Sequence, residues 1–281
     1  MDRTRPTAAD KRKAFFALHA SGCFVIPNPW SLGTARYLQG LGFKAIASTS
    51  AGYAHSRGRP DGGVSLEEVL EHYREIAEGT DIPLNADFEN GFADDPEGVA
   101  ANVARCAATG VAGLSIEDSP QHDRFPLYDF AKALERVKAA RAAVDAAGRQ
   151  VLLTARTEGF IRGRPDIAET ARRIEAFAAA GADCLYAPGI RSREHIAAVV
   201  KAAAGKPVNF LNAGAFGYTV GDLAAMGVRR ISVGGTLSRV AMDAFIAAAK
   251  QIAQQGRFDR FEGVVGNAEL NRFFGAEGGG S

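Results

Sequence analysis

Along this chain, short apolar runs alternate with longer stretches in which apolar residues recur at helical spacing. Eight runs stand out: Phe24–Asn28, Ala45–Thr49, Ile82–Glu89, Gly113–Asp118, Val151–Thr157, Cys184–Gly189, Pro207–Asn212 and Arg230–Gly235. They read as strands buried on both faces rather than as half-solvated alternating ones. Between them the helix punctuation is clear. Ser65 followed by Glu68 makes a capping box, and Asp95-Pro96 places an N-cap before a proline in the first turn. Further helices are predicted near 129–147, 165–180, 191–204 and 236–255, and another, about 8–20, precedes the first strand. Four helices close on one phrase: Leu41-Gly42-Phe43, Thr109-Gly110-Val111, Ala180-Gly181-Ala182 and Met226-Gly227-Val228. Glycine suits the left-handed position just past a helix end.

Eight strands alternating with helices, without a linker between halves, predict one α/β domain over residues 1–275, a single (β/α)8 TIM-type barrel. The extra N-terminal helix can plug its bottom. Residues 276–281, ending in Gly278-Gly279-Gly280-Ser281, read as a flexible tail. With 281 residues, 47% of them hydrophobic, the chain can bury a large core. Its 33 basic and 32 acidic residues leave a formal +1 with no long block of one sign, so nucleic acid and anionic membrane gain no support. No apolar stretch is long enough for a signal peptide or membrane span. Cys23, Cys106 and Cys184 lie far apart without metal spacing, as expected of buried thiols in a cytoplasmic protein.

Barrels of this kind assemble their active sites from residues at the C-terminal ends of the strands. Here those ends carry Asn28, Ser48-Thr49-Ser50, Asp87 and Glu89, Glu117 and Asp118, Arg156 and Glu158, and Asn212. On an extended strand Asp87 and Glu89, two residues apart, point the same way. Several acids at one mouth repel each other unless a cation holds them. Hard oxygen donors without clustered His or Cys indicate Mg2+, with Mn2+ as the alternative, rather than zinc. The bland alternative is an internal ion pair between Arg156 and Glu117 or Glu89. Otherwise Arg156 is a fixed fork for a substrate carboxylate or an enolate oxygen, and Thr49-Ser50-Ala51-Gly52 is a turn offering hydroxyls and N–H groups to an anion.

The ordered set Thr49-Ser50-Ala51-Gly52, Arg59-Pro60-Asp61, Asp87-Phe88-Glu89-Asn90-Gly91-Phe92, Ser115-Ile116-Glu117-Asp118 and Thr154-Ala155-Arg156-Thr157 resembles the isocitrate lyase/phosphoenolpyruvate mutase superfamily over about residues 20–255. The resemblance implies a (β/α)8 barrel, commonly with the last helix swapped between subunits, in dimers or tetramers. It implies Mg2+ and a small 2-oxo or 2-hydroxy acid substrate whose C–C or P–C bond is broken or formed through a pyruvate-type enolate. By position, Asp87 would be the direct metal ligand, with Glu89 and Glu117 reaching the ion mostly through water. Asp61 would be a gating-loop carboxylate, Arg156 the substrate and enolate clamp, and Thr49, Ser50 and Ala51 the carboxylate cradle. Apart from the resemblance, Asn212 at the end of the seventh run is a further candidate substrate contact.

Departures from the pattern narrow the chemistry. The lyases of the superfamily carry a Lys-Lys/Arg-Cys-Gly-His segment after strand four, and phosphonate-handling members a Lys-Thr-Asn-Ser type segment. Here the stretch runs Glu117-Asp118-Ser119-Pro120-Gln121-His122-Asp123-Arg124-Phe125-Pro126-Leu127-Tyr128, with neither. Ala187-Pro188-Gly189 stands where methylisocitrate-type members often have a Glu. His122 or Asp123 is then a candidate for handling the proton that the missing Cys would manage, unless His122 is only an exposed loop residue. The expected activity is a Mg2+-dependent C–C lyase or decarboxylase acting on a 2-oxo or 2-hydroxy di- or tricarboxylate. Alternatives are P–C mutase or hydrolase chemistry, a phosphosugar barrel suggested by Ser232-Val233-Gly234-Gly235-Thr236, and a non-catalytic oxo-acid binder.

Overall fold

The computed structural model describes residues 5–120, 127–148 and 150–275. Helix α1 (Ala8–Ala20) begins at Thr7, whose side chain and Asp10 form a reciprocal cap. Eight strands follow: β1 (Phe24–Ile26), β2 (Ile46–Ala47), β3 (Leu84–Asp87), β4 (Gly113–Glu117), β5 (Leu152–Arg156), β6 (Cys184–Tyr186), β7 (Val208–Leu211) and β8 (Arg230–Ser232). All neighbouring strands are parallel, in the order β1-β8-β7-β6-β5-β4-β3-β2. The remaining seam is closed by the Ala47 N–H donating to the Pro27 carbonyl at 3.0 Å. The sheet is therefore a nearly closed (β/α)8 barrel, as the alternating pattern predicts.

The intervening helices are α2 (Leu32–Gly40), α3 (Ser50–Ser56), α4 (Leu66–Gly79), α5 (Pro96–Ala107), α6 (Phe130–Ala146), α7 (Ile167–Ala179), α8 (Arg193–Ala202) and α9 (Val220–Ala225), followed by α10 (Thr236–Gln255) and α11 (Asn267–Gly275). Ser65 caps α4 with Glu68, and Asp95 caps α5 ahead of Pro96. Gly42, Gly110, Gly181 and Gly227 all have φ between 88° and 99°, the left-handed region that the repeated phrase requires. Helices α3 and α11 are too short for a periodic signal and are not foreseen from the sequence, while α9 is announced only by its closing Met226-Gly227-Val228. No helix among the described residues is long and apolar enough to cross a membrane.

The strands are shorter than the apolar runs, and they do alternate. Outward residues such as Leu84, Ala86, Leu114 and Ile116 pack under α4, α5 and α6, while Ala155, Leu185, Phe210 and Ile231 pack under α7, α8 and α9. Inward positions carry Asn85, Ser115, Thr154, Asn209 and Arg230, all buried. The alternation is hidden because both sides of each strand exclude water. At the floor, Phe15 of α1 is fully buried with Ile26, Ala45, Leu152 and Cys184, a burial that contributes about 2 kcal/mol. Gly113 is required there: a Cβ on it would lie 2.6 Å from the Phe15 ring. The N-terminal helix does plug the barrel.

Helix α10 differs from the others. None of its residues is buried, and Val240 and Phe245 are 62% and 66% exposed. The chain then returns through α11, where Phe273 packs on Tyr37 and over Gly40 of α2.

Candidate active site

Strand β3 ends at Asp87, and the chain then turns: Glu89 has φ 48° and Gly91 φ 74°. Asp87 and Glu89 are thus not successive same-side residues of one strand. A non-glycine residue held at positive φ costs about 1 kcal/mol and needs a rigid frame. Here the Glu89 carbonyl accepts from the Glu117 N–H at 3.0 Å, and Tyr73 Oη donates to the Asp87 carbonyl at 2.6 Å. Asp87 itself bridges three elements. One carboxylate oxygen accepts from the Ser50 N–H at 3.0 Å and the other from Arg156 at 3.2 Å, while the Asp87 N–H donates to Ser48 Oγ at 2.8 Å. The Ser/Thr/Gly segment is the start of α3 rather than a turn, with Thr49 as its N-cap.

Arg156 ends β5, in register with Glu117 on β4 and Tyr186 on β6. Besides Asp87, its guanidinium contacts Glu158 and lies 3.7 Å from Glu117, with the Tyr186 ring beneath it at 5.0 Å. Arg162, on the loop after β5, stands 3.6 Å from Glu117 and 3.7 Å from Glu158. Burial pushes the Glu117 carboxyl well above the ordinary range, reinforced by the charge of Glu158 and, after Arg156 opposes them, of Asp87 and Glu89. Burial also raises Glu158, against the pull of Arg156. Desolvation works against the charge on Arg156, but Glu158 and Glu117 outweigh it and hold the group charged.

Asp118 has a separate task. It pairs with Arg173 of α7 at 3.0 Å and accepts from the Glu158 N–H at 2.9 Å, and its carbonyl accepts from the Tyr128 N–H. Arg173 also donates to the Tyr128 carbonyl at 3.0 Å, so both ends of the segment after β4 are tied to α7. His122 and Asp123 lie outside the described residues.

A cavity of about 180 Å³ opens beside Asp87 and Arg156. Thr49, Ser50 and Ala51 line it, as does Asp61, which reaches it from an exposed loop flanked by Gly58 and Gly62 at positive φ. Glu89, Glu117 and Asn212 do not line it; Glu117 lies behind Arg156, and Asn212 Oδ1 is buried without a hydrogen-bond partner. Sequence reading missed the lower lining, Asn85, Ser115, Tyr186, Asn209 and Arg230, while Ser232, Gly234 and Gly235 of the glycine-rich segment after β8 also line the cavity. Three of them stand two residues before a polar strand end, Asn85 before Asp87, Ser115 before Glu117 and Arg230 before Ser232, and that period is the signal that could have found them. Asn28 braces the roof, its Oδ1 accepting from Val233 and Gly234 N–H and its amide donating to the Ser48 carbonyl. A larger hollow of about 510 Å³ lies at the N-terminal end of the strands beside Arg141, Asp145 and Asp183, but it is broad and open, and no buried acids converge on it.

The donors around Asp87 suit a hard divalent cation. Asp87, Glu117 and Glu158 surround the Arg156 guanidinium, with Arg162 beside the two glutamates, and Glu117 is pushed toward protonation by burial first and by the neighbouring carboxylates second. Among the described residues no three His, Cys, Asp or Glu side chains close on a single point.

Comparison with known proteins fits this geometry. Residues 15–253 match the phosphoenolpyruvate phosphomutase family. A solved candidate lyase/mutase from Burkholderia cenocepacia J2315 is 42% identical with a TM-score of 0.93, covering 97% of this chain and 98% of that one. A 2,3-dimethylmalate lyase described as a PEP mutase/isocitrate lyase superfamily member is 28% identical (TM-score 0.82, 95% and 94% covered). Phosphonopyruvate hydrolase in complex with oxalate and Mg++ is 27% identical (TM-score 0.83, 95% of each chain). An oxaloacetate decarboxylase of Pseudomonas savastanoi pv. phaseolicola is 30% identical over 200 residues, 68% of this chain and 66% of the relative. The chain belongs to the phosphoenolpyruvate phosphomutase family, within the isocitrate lyase/PEP mutase superfamily.

Proposed function

We propose that this protein is a Mg2+-dependent lyase or decarboxylase that cleaves a C–C bond of a small 2-oxo or 2-hydroxy di- or tricarboxylate through a pyruvate-type enolate. The observation that carries the reading is the contact of Asp87 with Arg156 on the wall of a cavity sized for a small acid. Asp87 would hold Mg2+ directly, with Glu89 and Glu117 reaching it through water. The bound ion would supply Lewis acidity toward the oxygen on which charge develops. Arg156, charged and pre-positioned by Glu158, donates N–H groups toward that same charge. Thr49, Ser50 and Ala51 cradle the substrate carboxylate, and Asp61 swings on its glycine-flanked loop to exclude water. His122 is the proposed proton-handling group of the segment after β4. The relatives that act on oxaloacetate and dimethylmalate support this class of substrate.

P–C bond chemistry is the second reading, favoured by the similarity to phosphonopyruvate hydrolase. A screen of oxaloacetate, methylisocitrate, isocitrate, dimethylmalate and phosphonopyruvate, with Mg2+ and with chelator, separates the two. Release of pyruvate, oxalate or a glyoxylate-type acid from a carbon substrate only with Mg2+ is the expected result. Inorganic phosphate or rearrangement seen by 31P NMR would replace it with the second reading, and binding without turnover would make the protein an oxo-acid binder. The uncovered apolar side of α10 supports assembly into dimers or tetramers through that helix.

A further inference from the structure

Arg230 begins β8, is 3% exposed, and lines the cavity from below. Its Nε donates to Asn209 Oδ1 at 2.8 Å, one terminal nitrogen donates to Thr154 Oγ1 at 3.0 Å, and the other faces His19 Nε2 at 3.3 Å. None of these partners carries a negative charge. Nor is His19 a competing cation: burial, then Arg230, brings its pKa down to about 3, and its Nδ1 faces the Phe15 carbonyl at 2.8 Å. The imidazole is neutral, with the proton on Nδ1 and Nε2 accepting from the arginine. No ion pair among the described residues includes Arg230, whereas Arg156 has three carboxylates around it.

An arginine cannot shed its charge, and a buried charge without a counter-ion costs several kcal/mol. The cavity above Arg230 is the open space from which an anion can offset that cost. We propose that Arg230 is a specificity-determining residue, whose uncompensated charge in the barrel floor selects doubly charged over singly charged carboxylate ligands in the cavity. This rests on the oxo-acid reading above. Arg230 acts through its field, deep in the barrel, while Arg156 and Asp87 make the contacts at the mouth. Two unit charges about 10 Å apart at an effective dielectric of about 20 interact strongly enough to change an equilibrium constant roughly tenfold.

The test measures binding of oxalate, a dianion, and oxamate, a monoanion, by calorimetry with Mg2+ at low and moderate salt. Arg230→Met is expected to weaken oxalate by about tenfold or more and oxamate by clearly less, while Arg230→Lys keeps both within about threefold of wild type. Asn209→Asp leaves the arginine in place but gives it the missing counter-ion, so it too should lose oxalate selectively; it decides the matter if Arg230→Met does not fold. Equal losses for the two ligands, or oxalate binding unchanged in Asn209→Asp and any folded Arg230→Met, would overturn the role of Arg230 alone. Wild-type protein binding neither ligand would remove the oxo-acid reading, and this role with it.

Discussion

Two arginines face one cavity from different depths, and their surroundings are opposite. Arg156, at the barrel mouth, stands among Asp87, Glu117 and Glu158, with more acid nearby than it can neutralise. Arg230, near the floor, has an amide, a hydroxyl and a neutral imidazole for company. The mouth is short of positive charge and the floor short of negative charge. A cation bound at the acids and an anion bound between them satisfy both, which is the electrostatic pattern of a site for a metal–carboxylate pair. The same residue type thus has two different jobs, set by the charges that the fold brings to each.

The comparison breaks most severely if the mouth is not where chemistry happens. Asp87→Ala and Arg156→Met are each expected to reduce turnover by roughly a thousandfold or more in steady-state assays on the substrate found by the screen. Activity within about tenfold of wild type in either would place the reaction elsewhere. Stability should separate the two arginines next. Arg156→Met leaves buried carboxylates facing each other and should cost about 3–5 kcal/mol in urea unfolding without Mg2+. Arg230→Met removes an uncompensated charge while stranding three neutral partners, so its cost should stay below about 2 kcal/mol. A reversed order would mean that the floor is the tighter network.

The neutral imidazole at the floor gives a pH signature. His19 has a folded pKa of about 3 against an ordinary 6.5, so the unfolded chain binds the extra proton between those values. Its contribution to stability is complete above pH 6.5 and is lost as the pH falls toward 3. Buried His72, lowered to about 4 by desolvation, acts with the same sign. His19→Gln should therefore leave an acid-side slope that is shallower by about one proton in urea titrations across this window, with the His72 part intact. An unchanged slope would show that His19 is already charged beside Arg230. The smallest effect is expected of Thr154→Val, about 1 kcal/mol, because it deletes one neutral partner of the floor arginine.

Much of the mouth was legible in the sequence. Asp87, Glu117 and Arg156 stand at strand ends with distinctive neighbours, and Thr49, Ser50, Ala51 and Asp61 reach the same cavity. The period-two argument for Glu89 did not survive, because β3 stops at Asp87 and the next residues turn through positive φ. Asn212 ends its run as expected, yet the cavity is lined by Leu211 and Asn209 instead. The floor stayed hidden for a different reason. Thr154 and Asn209 each sit between apolar neighbours and read as interruptions of a buried strand. Their meaning depends on facing one another across a closed barrel.

The sequence by itself determined the alternation of strands and helices, the caps at Ser65 and Asp95, and the glycine-closed helix ends. Those depend on backbone sterics and hydrogen bonds among residues a few positions apart. It also placed Asp87, Glu117 and Arg156 at the ends of their strands. Only the tertiary structure decided that His19, Thr154, Asn209 and Arg230, from α1 and three strands, share one buried cluster. It likewise decided that three acids from β3, β4 and the loop after β5 meet one guanidinium. The physical reason is that charge balance is a property of positions in space. An arginine's cost or usefulness is fixed by the dielectric and the charges around it, and residues distant in sequence supply both.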